Sequence, residues 1–72
     1  MGILSNISGK KAVKMFIAFG YNLEHQTGSH IILSHKDKPT ISIPNHKELA
    51  PVLLRGLIRK CSISVEEFIS KK

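Results

Sequence analysis

Four histidines (His25, His30, His35 and His46) and eleven lysines and arginines are the groups in this 72-residue chain that could do chemistry. Imidazole moves protons near neutrality because its reference pKa, about 6.5, keeps both of its forms available. The reaction that asks least of a protein in this respect is RNA cleavage, since the ribose 2′-hydroxyl is a built-in nucleophile. It needs a group to take that proton, a group to protonate the leaving oxygen, and positive charge near the phosphate. His30 follows Thr27-Gly28-Ser29 and opens an alternating stretch, His30 to Ser34, in which Ile31 and Leu33 point one way and His30, Ile32 and Ser34 the other. By pattern alone, a histidine in that place reads first as an ordinary surface residue. It is a candidate acid–base residue in that a phosphate can reach it from the polar face.

His46, in the loop after the third apolar stretch, is the candidate second proton-transfer group or phosphate holder, or a loop residue without a role. His25 alternates with Leu23 and reads as half-buried and structural, and His35 reads as a solvated residue of a charged hairpin tip. No pair of histidines has the spacing of a helical His-x₃-His site, and there are only five acids to assist. Neither a metal nor any other cofactor is expected.

Grip on phosphate falls to the cations. Lys36, Lys38 and Lys47 lie in loops beside the polar face, and Arg55 and Arg59 stand one helical turn apart, where a guanidinium can hold a phosphate through two N–H groups. Gly28 and Ser29 would let a backbone approach closely. Lys10, Lys11 and Lys14 form a second basic patch. For any single lysine, solubilising charge is the plainer reading. Together the cations outnumber the acids by eleven to five, a net charge of +6 and a pI near 9.8, a field that attracts polyanions. Phe16, Phe19 and Phe68 read as core and Tyr21 as its cover, so base stacking has little to work with and weak sequence selectivity follows.

The elements that must position these groups can be read from periodicity. Ala12, Val13, Phe16, Ile17 and Phe19 recur at three and four, predicting a helix from about Gly9 to Phe19, capped by Ser8 and closed by Gly20 in a left-handed conformation. The period then changes to two. Tyr21, Leu23 and His25 alternate with Asn22, Glu24 and Gln26 as a first strand. Thr27-Gly28 makes a turn of positive φ, and His30 to Ser34 forms the second strand. His35 to Pro39 is a second hairpin loop, and Thr40 to Ile43 the third strand, stopped by Pro44. Pro51 suits the first turn of a helix carrying Leu54, Leu57, Ile58 and Cys61, in which close packing is the expected reason for Gly56. Ser64 and Glu67 form a capping box opening a last short helix with Val65, Phe68 and Ile69 inward.

The expectation is a single α+β domain over residues 1–72, helix–three strands–helix with a short last helix. Its three-stranded antiparallel sheet has one face covered by the helices and residues 1–8 form a flexible N-terminus. Double-stranded-RNA-binding domains share that layout, which does not by itself fix function. Three stretches also resemble the HicA family of toxin ribonucleases from toxin–antitoxin pairs: the helix ending at Gly20-Tyr21; Gly28-Ser29-His30 before Ile31-Ile32; and Ile43-Pro44-Asn45-His46 through Lys47-Glu48-Leu49 to Leu54-Arg55 and Ile58. The tail Ser64-Val65-Glu66-Glu67-Phe68 is similar as well, so the resemblance spans roughly residues 10 to 70. It implies a metal-independent endoribonuclease that cuts mRNA through His30, and it is this resemblance that puts the acid–base reading of His30 ahead of the surface one. A HicB-type antitoxin would hold it in check by covering His30 and the basic surface with acidic charge. The alternatives are a non-catalytic RNA-binding module, indifferent to His30, and a protein-interaction domain whose basic face meets an acidic partner.

At 72 residues a domain buries only about 60–65% of its unfolded surface, and Cys61, the only cysteine, excludes an internal disulfide. Hydrophobic content of 42% supports a core. The first eight residues lack a secretion signal, and the longest uninterrupted apolar run, Met15 to Phe19, falls far short of the roughly 20 residues of a membrane span, so the cytoplasm is expected.

Overall fold

The computed structural model describes residues 4–71. Helix α1 (Gly9–Ile17) is followed by strands β1 (Asn22–Gln26), β2 (His30–Ser34) and β3 (Ile41–Pro44), then by helices α2 (Pro51–Lys60) and α3 (Val65–Ile69). The strands form one antiparallel sheet in the order β1-β2-β3. Ile31, Leu33, Ile41 and Ile43 are buried on one face in a single core with Phe16, Leu54, Ile58 and Phe68 from the three helices. This is the small α+β arrangement of double-stranded-RNA-binding domains. No described helix is long and apolar enough to cross a membrane.

Two helix caps follow from local chemistry. The Ser8 hydroxyl accepts from the Lys11 amide at 3.0 Å, and Ser64 and Glu67 exchange side-chain and backbone bonds in a capping box, both as the sequence predicts. Helix α1 ends two residues earlier than its apolar pattern suggests, and Gly20 completes the turn at φ 98. The buried stripe of α1 is Gly9, Ala12, Met15 and Phe16, an i, i+3, i+6, i+7 set; Ile17, assigned inward from its type, is 46% exposed.

The N-terminal segment corrects a second expectation. Residues 1–3 of the stretch read as flexible lie outside the described residues, but Leu4 and Ile7 are fully buried. The Asn6 amide donates to Glu48 Oε2 at 3.2 Å and the Leu49 amide to the Ile7 carbonyl at 2.8 Å, tying this segment to the loop after β3. Two apolar residues three apart around a tight turn gain burial without needing regular structure.

Strand β1 departs most from simple alternation. Leu23 pairs with Leu33, but His25 pairs with Ile32 and Gln26 with Ile31, so Glu24 is the extra residue of a bulge. Directly paired residues share a face, hence the bulge flips the parity: Leu23 and Gln26 both lie on the helix side, and His25 on the other. Every residue of β1 is exposed, so His25 is not half-buried.

The glycines exchange roles relative to expectation. A Cβ on Gly56 would meet nothing within 4 Å, so close packing is not its reason; on Gly9 it would lie 2.2 Å from the Pro44 carbonyl oxygen. Only a glycine lets α1 start against the end of β3, where the Gly9 amide donates to the His46 carbonyl at 2.9 Å.

Candidate functional site

His30 opens β2 on the sheet face away from the helices, and it is exposed. Its backbone is held on three sides. The His30 amide donates to Thr27 Oγ1 at 3.1 Å, the Thr27 amide and hydroxyl both donate to the His30 carbonyl, and His30 stands opposite Pro44 in the ladder. Its imidazole ring, by contrast, makes no hydrogen bond to any described residue. The connection 27–29 differs from the expected positive-φ turn: Gly28 is not left-handed, and what it contributes is open space, with nothing within 4 Å of where a Cβ would be. The sequence shows Thr27 as a turn residue but not the role of its hydroxyl; the signal for that role is a Thr three residues before a strand start, where the hydroxyl can mimic a backbone partner.

Beside this turn the chain forms a basic cavity. The Asn45 amide donates to the Ser29 carbonyl at 3.0 Å, which docks the loop after β3 against the residue preceding His30. That loop and the start of α1 border an open cavity of about 340 Å³ lined by Ser8, Lys10, Asn45, His46 and Lys47. No acid is among the lining residues. The nearest acid in sequence, Glu48, is turned to the Asn6 amide. The cavity therefore presents two ammonium groups, an imidazole, an amide and a hydroxyl, a set suited to a phosphate. His46 and Lys47 come together here as RNA-facing candidates; Ser8, Lys10 and Asn45 join them unpredicted, because residues 37 positions apart (Ser8 to Asn45) meet only in the fold.

The other candidates lie elsewhere. Lys36 and Lys38 follow the far end of β2, whose five residues at roughly 3.3 Å each put that hairpin about 13 Å from His30. Lys36 is exposed, whereas Lys38 Nζ donates to the Cys61 carbonyl at 2.8 Å, satisfying the C-terminus of α2. Arg55 and Arg59 are exposed on α2 and line neither the cavity nor the His30 turn. His35 is not the solvated tip residue expected. The Asp37 amide donates to its Nδ1 at 2.8 Å, which leaves the proton on Nε2 to donate to the Phe19 carbonyl at 3.1 Å, and the ring packs edge-on against Tyr21 with centroids 5.0 Å apart.

Tyr21 and Cys61 are buried side by side, hydroxyl to sulfur 2.9 Å, and the same hydroxyl donates to the Pro39 carbonyl at 2.8 Å. Burial, reinforced for Tyr21 by its bond to Cys61, pushes both groups above their ordinary values, so both stay protonated and serve packing. Among the described residues no group of three or more His, Cys, Asp or Glu side chains lies together as a metal site.

Comparison of the sequence with known proteins points to one family. No curated protein matches the chain. The family model described as HicA toxin of bacterial toxin–antitoxin matches residues 9–63, from the glycine that opens α1 to Ile63 just before α3, and it contains the His30 turn and most of the cavity lining. By that match over three quarters of its length, this chain belongs to the HicA family of toxins from bacterial toxin–antitoxin systems.

Proposed function

We propose that this toxin is a metal-independent endoribonuclease that cuts mRNA in the cytoplasm, with His30 as its acid–base residue, and that a HicB-type antitoxin restrains it. The observation that carries the reading is a contrast: the backbone of His30 is clamped by Thr27 and Pro44, while its ring points away from the core and is hydrogen-bonded to no described residue. Such a ring is positioned yet available to a substrate.

In the proposed reaction the 2′-hydroxyl attacks the adjacent phosphorus, a new O–P bond forms, and the bond to the 5′-oxygen breaks. The products are a 2′,3′-cyclic phosphate and a free 5′-hydroxyl. Neutral imidazole of His30 accepts the 2′ proton, and a protonated imidazole must supply one to the 5′-oxygen. His46, at the rim of the neighbouring cavity, is the candidate second group. Lys10 and Lys47 hold backbone phosphate in that cavity, with Ser29 and Gly28 leaving room for the strand. Lys36, Arg55 and Arg59, exposed and farther off, extend the attraction along the RNA.

The test uses purified protein and mRNA in excess EDTA. Wild-type protein is expected to cleave, and His30→Ala to lose at least about 10²-fold in rate, the usual worth of a positioned acid–base group, with its circular dichroism spectrum unchanged. A folded His30→Ala protein that cleaves as fast as wild type removes His30 from the chemistry. RNA bound by both proteins with no product from either points to the non-catalytic RNA-binding module instead.

A further inference from the structure

We infer that the groove between α1 and β1 is the docking site for an extended acidic segment of the antitoxin, which adds to the sheet along β1. The inference rests on the family's antitoxin partner and not on the nuclease chemistry.

The groove exists because the sheet is wider than its helical cover. The bulge at Glu24 turns both Leu23 and Gln26 toward the helices, yet Leu23 remains 54% exposed. Between them and α1 is an open cavity of about 240 Å³, lined by Lys10, Val13, Lys14, Leu23, Gln26 and Ile31. That volume suits one or two side chains of valine or leucine size. Its floor is aliphatic and its α1 wall carries two lysines.

Three features select the occupant. Strand β1 stands at the edge of the sheet, so its outer backbone N–H and C=O groups are open to another strand. In a strand added there, side chains beside Leu23 or Gln26 would stand on the helix side, over the groove. The apolar floor rewards an aliphatic residue at one such position. Lys10 and Lys14 reward a carboxylate, and no acid lines the groove to repel it. Glu24 is the acid of β1 itself, and as the bulged residue it has no partner in the ladder to β2. RNA fits this surface less well. Phosphates gain nothing over Val13, Leu23 and Ile31, and the groove has no aromatic ring for a base to stack on.

Lys10 lines this groove and also the cavity beside His30. A carboxylate that engages Lys10 in the groove therefore competes for a cation of the phosphate cavity. Docking on β1 would weaken RNA binding without any group being inserted over His30.

The experiment uses isotope-labelled full-length toxin and a synthetic nine-residue peptide alternating Glu with Val, with a Lys/Val peptide and a cleavage-resistant 2′-deoxy oligonucleotide as comparators. Amide shifts confined to β1 and to residues 10–14 with the Glu/Val peptide alone are expected. Leu23→Ser, a change at a half-exposed, uncharged side chain, should weaken the peptide about tenfold while leaving oligonucleotide affinity within about twofold. Equal binding of the Lys/Val peptide, peptide shifts outside the groove, or oligonucleotide shifts along Leu23–Gln26 would each overturn the assignment, the last in favour of RNA. Failure to cleave RNA would sink the nuclease reading and leave this result untouched.

Discussion

Replacing Gly9 with alanine should destabilise the protein, although helix propensity argues the other way. Alanine in place of a helical glycine gains up to about 1 kcal/mol. At Gly9, however, the added Cβ would sit 2.2 Å from the Pro44 oxygen, and 3.1 Å from Asn45 Cα. Contacts between carbon and its neighbours settle near 3.5–4 Å, so α1 must retreat by about 1 Å from the end of β3. Overpacking of this kind costs about 1–3 kcal/mol, and the retreat stretches the 2.9 Å bond from the Gly9 amide to the His46 carbonyl, worth about 1 kcal/mol. The net expectation is a loss of about 1–3 kcal/mol, or roughly 4–24 °C in Tm at 4–8 °C per kcal/mol for a domain of this size. Gly56→Ala supplies the internal control: its Cβ meets nothing within 4 Å, so the propensity gain survives and Tm should rise by a few degrees. Thermal melts followed by circular dichroism measure both. A Gly9→Ala protein melting at or above wild type would refute the close approach of α1 to β3, and with it the geometry of the cavity beside His30.

Three further outcomes follow from the other end of the sheet and from α3. His35→Ala removes the bonds to the Phe19 carbonyl and from the Asp37 amide and the ring contact with Tyr21; at about 1 kcal/mol per bond, a loss near 2 kcal/mol is expected in urea titration, with RNA affinity preserved. Cys61 should resist iodoacetamide at neutral pH, because its sulfur is buried and its thiol is held protonated; alkylation of native protein at a free-thiol rate, read by mass spectrometry, would contradict that burial. Glu67 is held below its ordinary value of 4.5 by the Ser64 amide and hydroxyl, so its charge stabilises the fold above that value and the benefit disappears as pH falls through the lowered one. The urea midpoints of wild type and Glu67→Gln should therefore differ most above the ordinary carboxylate range and draw together as pH falls below it; a pH-independent difference would show that the charge contributes nothing.

What could be read in the chain beforehand is what local physics decides. Ser8, Gly20 and the Ser64–Glu67 pair act within four residues of themselves, and their caps are where spacing puts them. The alternation of Ile31 and Leu33 against His30 needed only period two, and it placed His30 on the open face. The bulge at Glu24 breaks the same rule in β1, because its cause is the register against β2 and not anything in Asn22–Gln26 alone. His35 looked solvated for a similar reason: its partners Phe19 and Tyr21 lie more than a dozen residues upstream. Gly9 and Gly56 could not be told apart without knowing that the end of β3 runs past one of them. The basic cavity likewise unites the start of α1 with the loop after β3, so Lys47 and His46 were legible as cations in a loop, but their alliance with Lys10 was not.

The two ends of β2 are built differently, and this division is what would let a marginal domain leave a histidine free for the proposed chemistry. At one end His35, Tyr21, Cys61 and Lys38 spend nearly all their polar groups on one another and on backbone carbonyls, locking the β2–β3 hairpin to α2 and to the turn after α1. At the other end only backbone is locked, through Thr27, Pro44 and Asn45, and the side chains of His30, His46, Lys10 and Lys47 remain facing outward. A clamped backbone limits the motion of His30 to its two side-chain torsions, so little entropy is lost when a ribose–phosphate link arrives. The lysines are long, adaptable point charges that register a phosphate and ignore the base attached to it. On the proposed nuclease reading, a site of that construction would recognise the backbone of RNA closely and its sequence loosely, which would leave restraint of the activity to the antitoxin and not to substrate choice.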